Sequence, residues 1–193
     1  MIMAKLKEAT REQHENLESV VNVMDRMFNR EDYVRLLAKF YRFYSAIEPR
    51  IESGVAGIDG IGADKRFGKR SALEADLGHL NALEPAAEFT DLPVLDTPGK
   101  ALGAMYVLEG ATLGGQVISR HLSEHLGLTP GSGGSFFNGY GPLTGPMWKD
   151  FMASANDFAD KYGNDQEIIE SAKATFDSFA RCFAEANVAT ANQ

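Results

Sequence analysis

An all-α single domain is what this sequence predicts, and three observations carry that reading. Apolar residues recur at intervals of three and four nearly throughout, with no strand-like alternation of four residues or more. Glycine and proline gather into breaks near 54–62, 85–98 and 130–145 that separate the periodic stretches. The chain has 193 residues, enough for one sizeable core and too few for two, and no repeat, linker or low-complexity tract divides 1–193.

The periodic stretches make six main helices. The first runs from about Lys5 to Met24, with an inner stripe of Leu6, Thr10, His14, Leu17 and Val21. The second follows Asn29, an N-cap residue with Asp32 at the third helical position, and packs one full side through Tyr33, Leu36, Leu37, Phe40, Phe43, Tyr44, Ile47 and Ile51. A third spans about Asp64 to Leu83, and a fourth about Gly99 to Leu126. Pro130 to Gly145 reads as loop, because six glycines fall in the fifteen residues from Gly131. Two amphipathic helices close the chain, one carrying Met147, Trp148, Phe151, Ala155 and Phe158, the other Ile168, Ile169, Ala172, Phe176, Phe179 and Phe183.

Composition narrows the partners. Lys plus Arg number 19 against 27 Asp plus Glu, a formal charge of −8, which disfavours nucleic acid as the main partner. No run approaches the roughly 20 apolar residues of a membrane span, and Met1 to Lys7 lacks a signal-peptide core, so the expected compartment is the cytoplasm. Cys182 is the single cysteine and leaves no internal disulfide; the histidines are His14, His79, His121 and His125.

Two features stand out as chemistry. The fourth helix holds Gly110, Gly114 and Gly115, each costing about 1 kcal/mol relative to alanine. Gly110 and Gly114 share a face, so a flat object can approach the backbone there, and the Gly114-Gly115 pair invites a kink. Close helix packing and a ligand surface both stay open from spacing alone. His14 lies on the apolar stripe of the first helix, with Glu18 one turn on to accept from Nδ1 and leave Nε2 free for a metal, and Lys7 and Arg11 at its margin. A flat, apolar, metal-containing cofactor edged with carboxylates uses all of these: haem.

The same residues carry a family resemblance. Leu6-Lys-Glu-Ala-Thr-Arg-Glu-Gln-His14, with Glu18 following, resembles the proximal helix of the haem oxygenases, and Gly110-Ala-Thr-Leu-Gly-Gly-Gln-Val117 resembles their distal glycine helix. The likeness extends through Phe136-Phe137, Trp148-Lys149 and Phe176 to Phe183, and is nearest to the bacterial biliverdin-producing branch, which includes enzymes that serve bacteriophytochromes. It implies a haem oxygenase-like bundle with haem between the first helix and a kinked fourth helix. His14 would be the axial iron ligand and Glu18 its partner; Lys7, Arg11 and Lys149 would meet the propionates; Gly110, Gly114 and Gly115 would cover the distal face; Phe136, Phe176 and Phe183 would wall the pocket. One departure concerns the distal face: where many members place an aspartate after the first distal glycine, this chain has Ala111.

The reaction implied is oxidative cleavage of haem to biliverdin, carbon monoxide and ferrous iron, using O2 and electrons from an external reductase or a ferredoxin, with a bacteriophytochrome as an implied acceptor of the pigment. Ala111 motivates an alternative, a non-catalytic haem carrier or sensor; a helical interaction module is a third reading. His121 and His125 sit on an otherwise polar helix end, and His79 has no acidic or cysteine neighbours arranged around it as a ligand set. The run Lys65-Arg-Phe-Gly-Lys-Arg70 reads as a solvated helix face, or as a docking face for an acidic electron donor.

Overall fold

The computed structural model describes residues 1–23 and 29–190, without the side chains of 186–190, and the described residues form helices and no strand. The N-terminal stripe makes two helices, α1 (Ile2–Ala9) and α2 (Arg11–Val21), where the sequence suggests one. The break is slight. Thr10 departs from helical angles (φ −104°, ψ 8°) as its hydroxyl donates back to the Leu6 carbonyl at 2.7 Å, yet the His14 amide still reaches the Thr10 carbonyl at 2.9 Å. α2 ends on Asn22 in the left-handed region (φ 39°); Met24, the expected end, lies outside the described residues.

Asn29 caps α3 (Arg30–Val55) as expected, accepting from the Asp32 amide at 2.8 Å. There follow α4 (Lys69–His79), α5 (Pro98–His121), α6 (Ser135–Asn138), α7 (Thr144–Tyr162) and α8 (Asp165–Thr190). α4 is shorter than the 64–83 predicted, because Gly68 (φ +125°) and Asn81 (φ +56°) take left-handed angles at its two ends. α5 runs unbroken through Gly114 and Gly115. Regular geometry is lost later, at the π-helical turn Leu122–Leu126, which Gly127 closes at φ +64°.

The segment read as loop contains helix. The Asp76 carboxylate, buried on α4, accepts from the amides of Ser135 and Phe136 at 2.9 and 2.8 Å and from the Ser135 hydroxyl at 2.7 Å. Those bonds satisfy the first amides of α6 from a distant element, a cap that local sequence cannot announce. Glu48 of α3 does the same for α4, accepting from the amides of Gly68, Lys69 and Arg70 at 2.8–2.9 Å.

α3 runs through the core, with Tyr33, Leu37, Phe43, Ile47 and Ile51 fully buried. Phe43 stacks on Phe179 of α8, ring centres 4.0 Å apart and 3° from parallel. Phe183 sits behind this layer, edge-on to Phe40 and Phe179. α5 lies directly on α8: a Cβ at Gly103 would overlap the Ile168 carbonyl, and the Ser171 hydroxyl donates to the Lys100 carbonyl at 2.6 Å. Among the described residues no helix is long and apolar enough to cross a membrane.

Two expectations test this packing. Gly103→Ala forces the backbones of α5 and α8 apart, and chemical denaturation should show a loss of about 2 kcal/mol or more. Cys182 is fully buried, and burial pushes its thiol up to about 11. Iodoacetamide at pH 8 should therefore leave the native thiol unalkylated and modify it only once denaturant unfolds the chain.

Candidate functional site

α2 and α5 line one cavity of about 1230 Å3, floored by aromatic rings of α3, α6 and α8. Its lining is mostly apolar, with Phe40, Tyr44, Phe136, Phe137, Phe176 and Phe179 at its inner end. The sequence brings these together by three routes. Helical spacing places Phe40 and Tyr44 on the inner side of α3; the Asp76 cap sets Phe136 and Phe137 in place; and α8 presents Phe176 one turn before Phe179.

His14 lines the cavity from α2, its ring edge-on to Phe176 with centres 5.7 Å apart. Glu18 lines it too, but its carboxylate stands 3.7 Å from Nδ1, an ion-pair separation and too long for the hydrogen bond expected. Both side chains are more than half exposed, 56% and 69%, so neither is locked by packing. Lys7 and Arg11 border the same cavity, and neither has an ion-pair partner among the described residues. They form a cationic edge on a chain of formal charge −8.

The three glycines of α5 have separate roles. A Cβ at Gly114 would meet nothing within 4 Å, and one at Gly110 would only touch the Trp148 ring at 3.8 Å. Gly115 is buried, and a Cβ there would come within 2.5 Å of the Phe137 carbonyl. Gly110 and Gly114 thus leave space, while Gly115 lets α6 approach the helix. Ala111 and Thr112 also line the cavity, and the Thr112 hydroxyl is turned to the Glu109 carbonyl at 2.6 Å.

Two expected site residues are elsewhere. Lys149 is exposed on α7 and does not border the cavity; its neighbour Trp148 does, tilted against Tyr106 with ring centres 5.9 Å apart. Phe183 is core, one layer behind Phe40 and Phe179, because α8 turns it toward α3.

The cationic run 65–70 is not a solvated helix face. It spans the start of α4, and Gly68, just before the helix, turns Arg66 and Lys69 inward onto Glu109 of α5. Arg66, 3% exposed, donates to one Glu109 oxygen at 2.8 Å; Lys69 donates to the other at 3.0 Å, where the Tyr140 hydroxyl also donates at 2.7 Å. Burial, then the neighbouring Glu109 charge, pushes the Tyr140 phenol up. Lys69 also lines the cavity, a residue that spacing could not find because its partner is 40 positions away. Lys65 and Arg70 remain outside, Arg70 paired with Glu74 at 3.0 Å.

His121 and His125 come together at the π-turn, ring centres 4.3 Å apart. Among the described residues no group of three or more His, Cys, Asp or Glu could hold a metal ion.

The glycines give a direct test of these roles. Gly115→Ala should destabilise the fold by about 1–3 kcal/mol in chemical denaturation. Gly114→Ala should be neutral or stabilising by up to about 1 kcal/mol, while narrowing the cavity.

Comparison with known proteins agrees with the all-α fold. A curated relative, Heme oxygenase PigA of Pseudomonas aeruginosa, is 28% identical over 188 residues, covering 92% of this chain and 87% of its own. The NO- and CO-bound haem oxygenase of Neisseria meningitidis superposes with a TM-score of 0.81 at 20% identity, over 96% of this chain and 92% of that one. The haem oxygenase of Leptospira interrogans superposes with a TM-score of 0.77 at 20% identity, over 95% and 98%. The Heme oxygenase family model matches residues 1–185, and the chain belongs to that family.

Proposed function

We propose that haem binds in the cavity between α2 and α5 with His14 as its axial ligand, and that the chain cleaves it to biliverdin, carbon monoxide and ferrous iron. One observation carries the assignment: His14, the strip at Gly110 and Gly114, and two cations without described partners border the same apolar cavity. The residues fit the group. A porphyrin needs a flat approach on one face, which the missing Cβ atoms at Gly110 and Gly114 allow, a nitrogen donor on the other, and cations for two carboxylates at its edge.

Haem supplies the redox-active iron and the porphyrin edge that is cleaved. The rest is the work of the chain. His14 binds through an imidazole nitrogen, and Phe176 packs on the edge of its ring. Glu18 holds its carboxylate 3.7 Å from Nδ1, which leaves Nε2 as the nitrogen turned to the group. Lys7 and Arg11 fix the rotation of the ring by pairing with its propionates, which decides the meso carbon presented to attack. Gly110 and Gly114 leave room on the distal face, and the aromatic floor of Phe40, Phe136 and Phe179 keeps bulk water from the inner side. Electrons arrive from an external reductase or ferredoxin at the open side of the cavity, where α2 is exposed. The site of action is the cytoplasm, and a bacteriophytochrome is a fitting acceptor of the pigment. The carrier alternative loses ground, since membership in the family favours turnover.

Adding haem should produce a Soret band at one equivalent, and ascorbate or ferredoxin with air should then yield bile pigment; no pigment from the wild type overturns the enzymatic reading. His14→Ala should abolish turnover, and unchanged turnover overturns the axial assignment. Lys7→Ala with Arg11→Ala should leave the Soret band but mix the biliverdin isomers resolved by chromatography, whereas a single unchanged isomer removes these residues from the propionate role.

A further inference from the structure

Lys69 enters the cavity from an element that supplies neither the axial side nor the glycine strip. Its side chain is only 12% exposed, and its ammonium donates to Glu109 at 3.0 Å, the Arg66 carbonyl at 2.9 Å and the Tyr140 hydroxyl at 3.2 Å. Glu109 immediately precedes Gly110, so the helix that exposes its bare face to the cavity also carries the carboxylate holding Lys69. Burying such a set is costly, and α4 does not need it as a cap, because Glu48 already accepts from the amides of residues 68–70. Meanwhile Ala111 offers the distal face no polar group, and the Thr112 hydroxyl is turned away to the Glu109 carbonyl.

We propose that Lys69 is a positioning residue for the distal side of the cavity: its ammonium, held by Glu109 and Tyr140, sets the electrostatic field over the Gly110–Ala111 face. This rests on the haem reading above. The charged and titratable groups in contact with Lys69 are Arg66 from the segment before α4, through its carbonyl, Glu109 from α5, Tyr140 from the turn before α7, and Glu48 from α3, through the Lys69 amide. Of these, Glu48 is engaged with backbone amides, and Arg66 with Glu109 and the Ile61 and Met147 carbonyls, which leaves Lys69 as the cation that borders the cavity here. A cation here would favour the deprotonated form of a water bound on the Gly110–Ala111 side of the cavity, and the Glu109 carboxylate would oppose it.

The test is the acid–alkaline optical transition of the ferric haem complex. Lys69→Met should raise its midpoint by about one pH unit, with Lys69→Gln giving the same shift. Lys69→Arg should hold the midpoint near the wild type, and Glu109→Gln should move it downward. Opposite signs for the two charge removals separate a field effect from general disturbance. Helix content by circular dichroism and haem stoichiometry check that each variant is folded. Midpoints that stay put, or that shift in one direction for both charge removals, overturn the inference while leaving the haem site intact. No Soret band in the wild type overturns the site and this inference with it.

Discussion

The absence of side chains along α5 is the constraint on which the rest depends. Gly103 brings the backbone of α8 into contact, Gly115 does the same for α6, and Gly110 and Gly114 leave the cavity face open. Each glycine costs helix stability, about 1 kcal/mol apiece, so the helix is held mainly by what it packs against. That makes the cavity a by-product of tight packing elsewhere: α8 and α6 are drawn close, and the space remains where nothing is drawn in.

Buried carboxylates fix the surrounding elements. Glu48 gathers the amides at the start of α4, Asp76 those at the start of α6, and Glu109 binds Arg66, Lys69 and Tyr140 around α5. Each is an anion satisfied by several donors, the condition under which a buried charge is tolerated. Through Asp76 the aromatic floor at Phe136 is tied to α4, and through Glu109 the segment before α4 is tied to the glycine helix. The cavity therefore has polar struts behind apolar walls.

Much of this was legible in the sequence because it is local. Helical periodicity located α3, α5, α7 and α8, Asn29 announced its own cap, and the glycine face and His14 stood out as departures from a helical pattern. What escaped depended on residues far apart in the chain. The cap of α6 comes from Asp76, 59 positions before Ser135, and the inward turn of Lys69 depends on Glu109. The run 65–70 looked solvated because four cations in six residues usually are; only Gly68 at φ +125° and a carboxylate on another helix send two of them inside. Lys149 and Phe183 were placed by resemblance, and the rotation of α7 and α8 directs them to solvent and to core. Spacing could not divide Gly114 from Gly115 either, since their difference lies in what stands opposite.

Those two adjacent glycines also fix the phase of the helix. One residue of displacement along α5 turns it by roughly 100°. A slip that brings Gln116 to the place of Gly115 would set a side chain against the Phe137 carbonyl, and a slip in either direction would rotate the open strip away from His14's cavity. A single-residue insertion or deletion between Gly103 and Gly110 would therefore put the α8 contact and the cavity face out of step, even with every glycine retained. In this helix the distances between glycines carry as much information as the glycines.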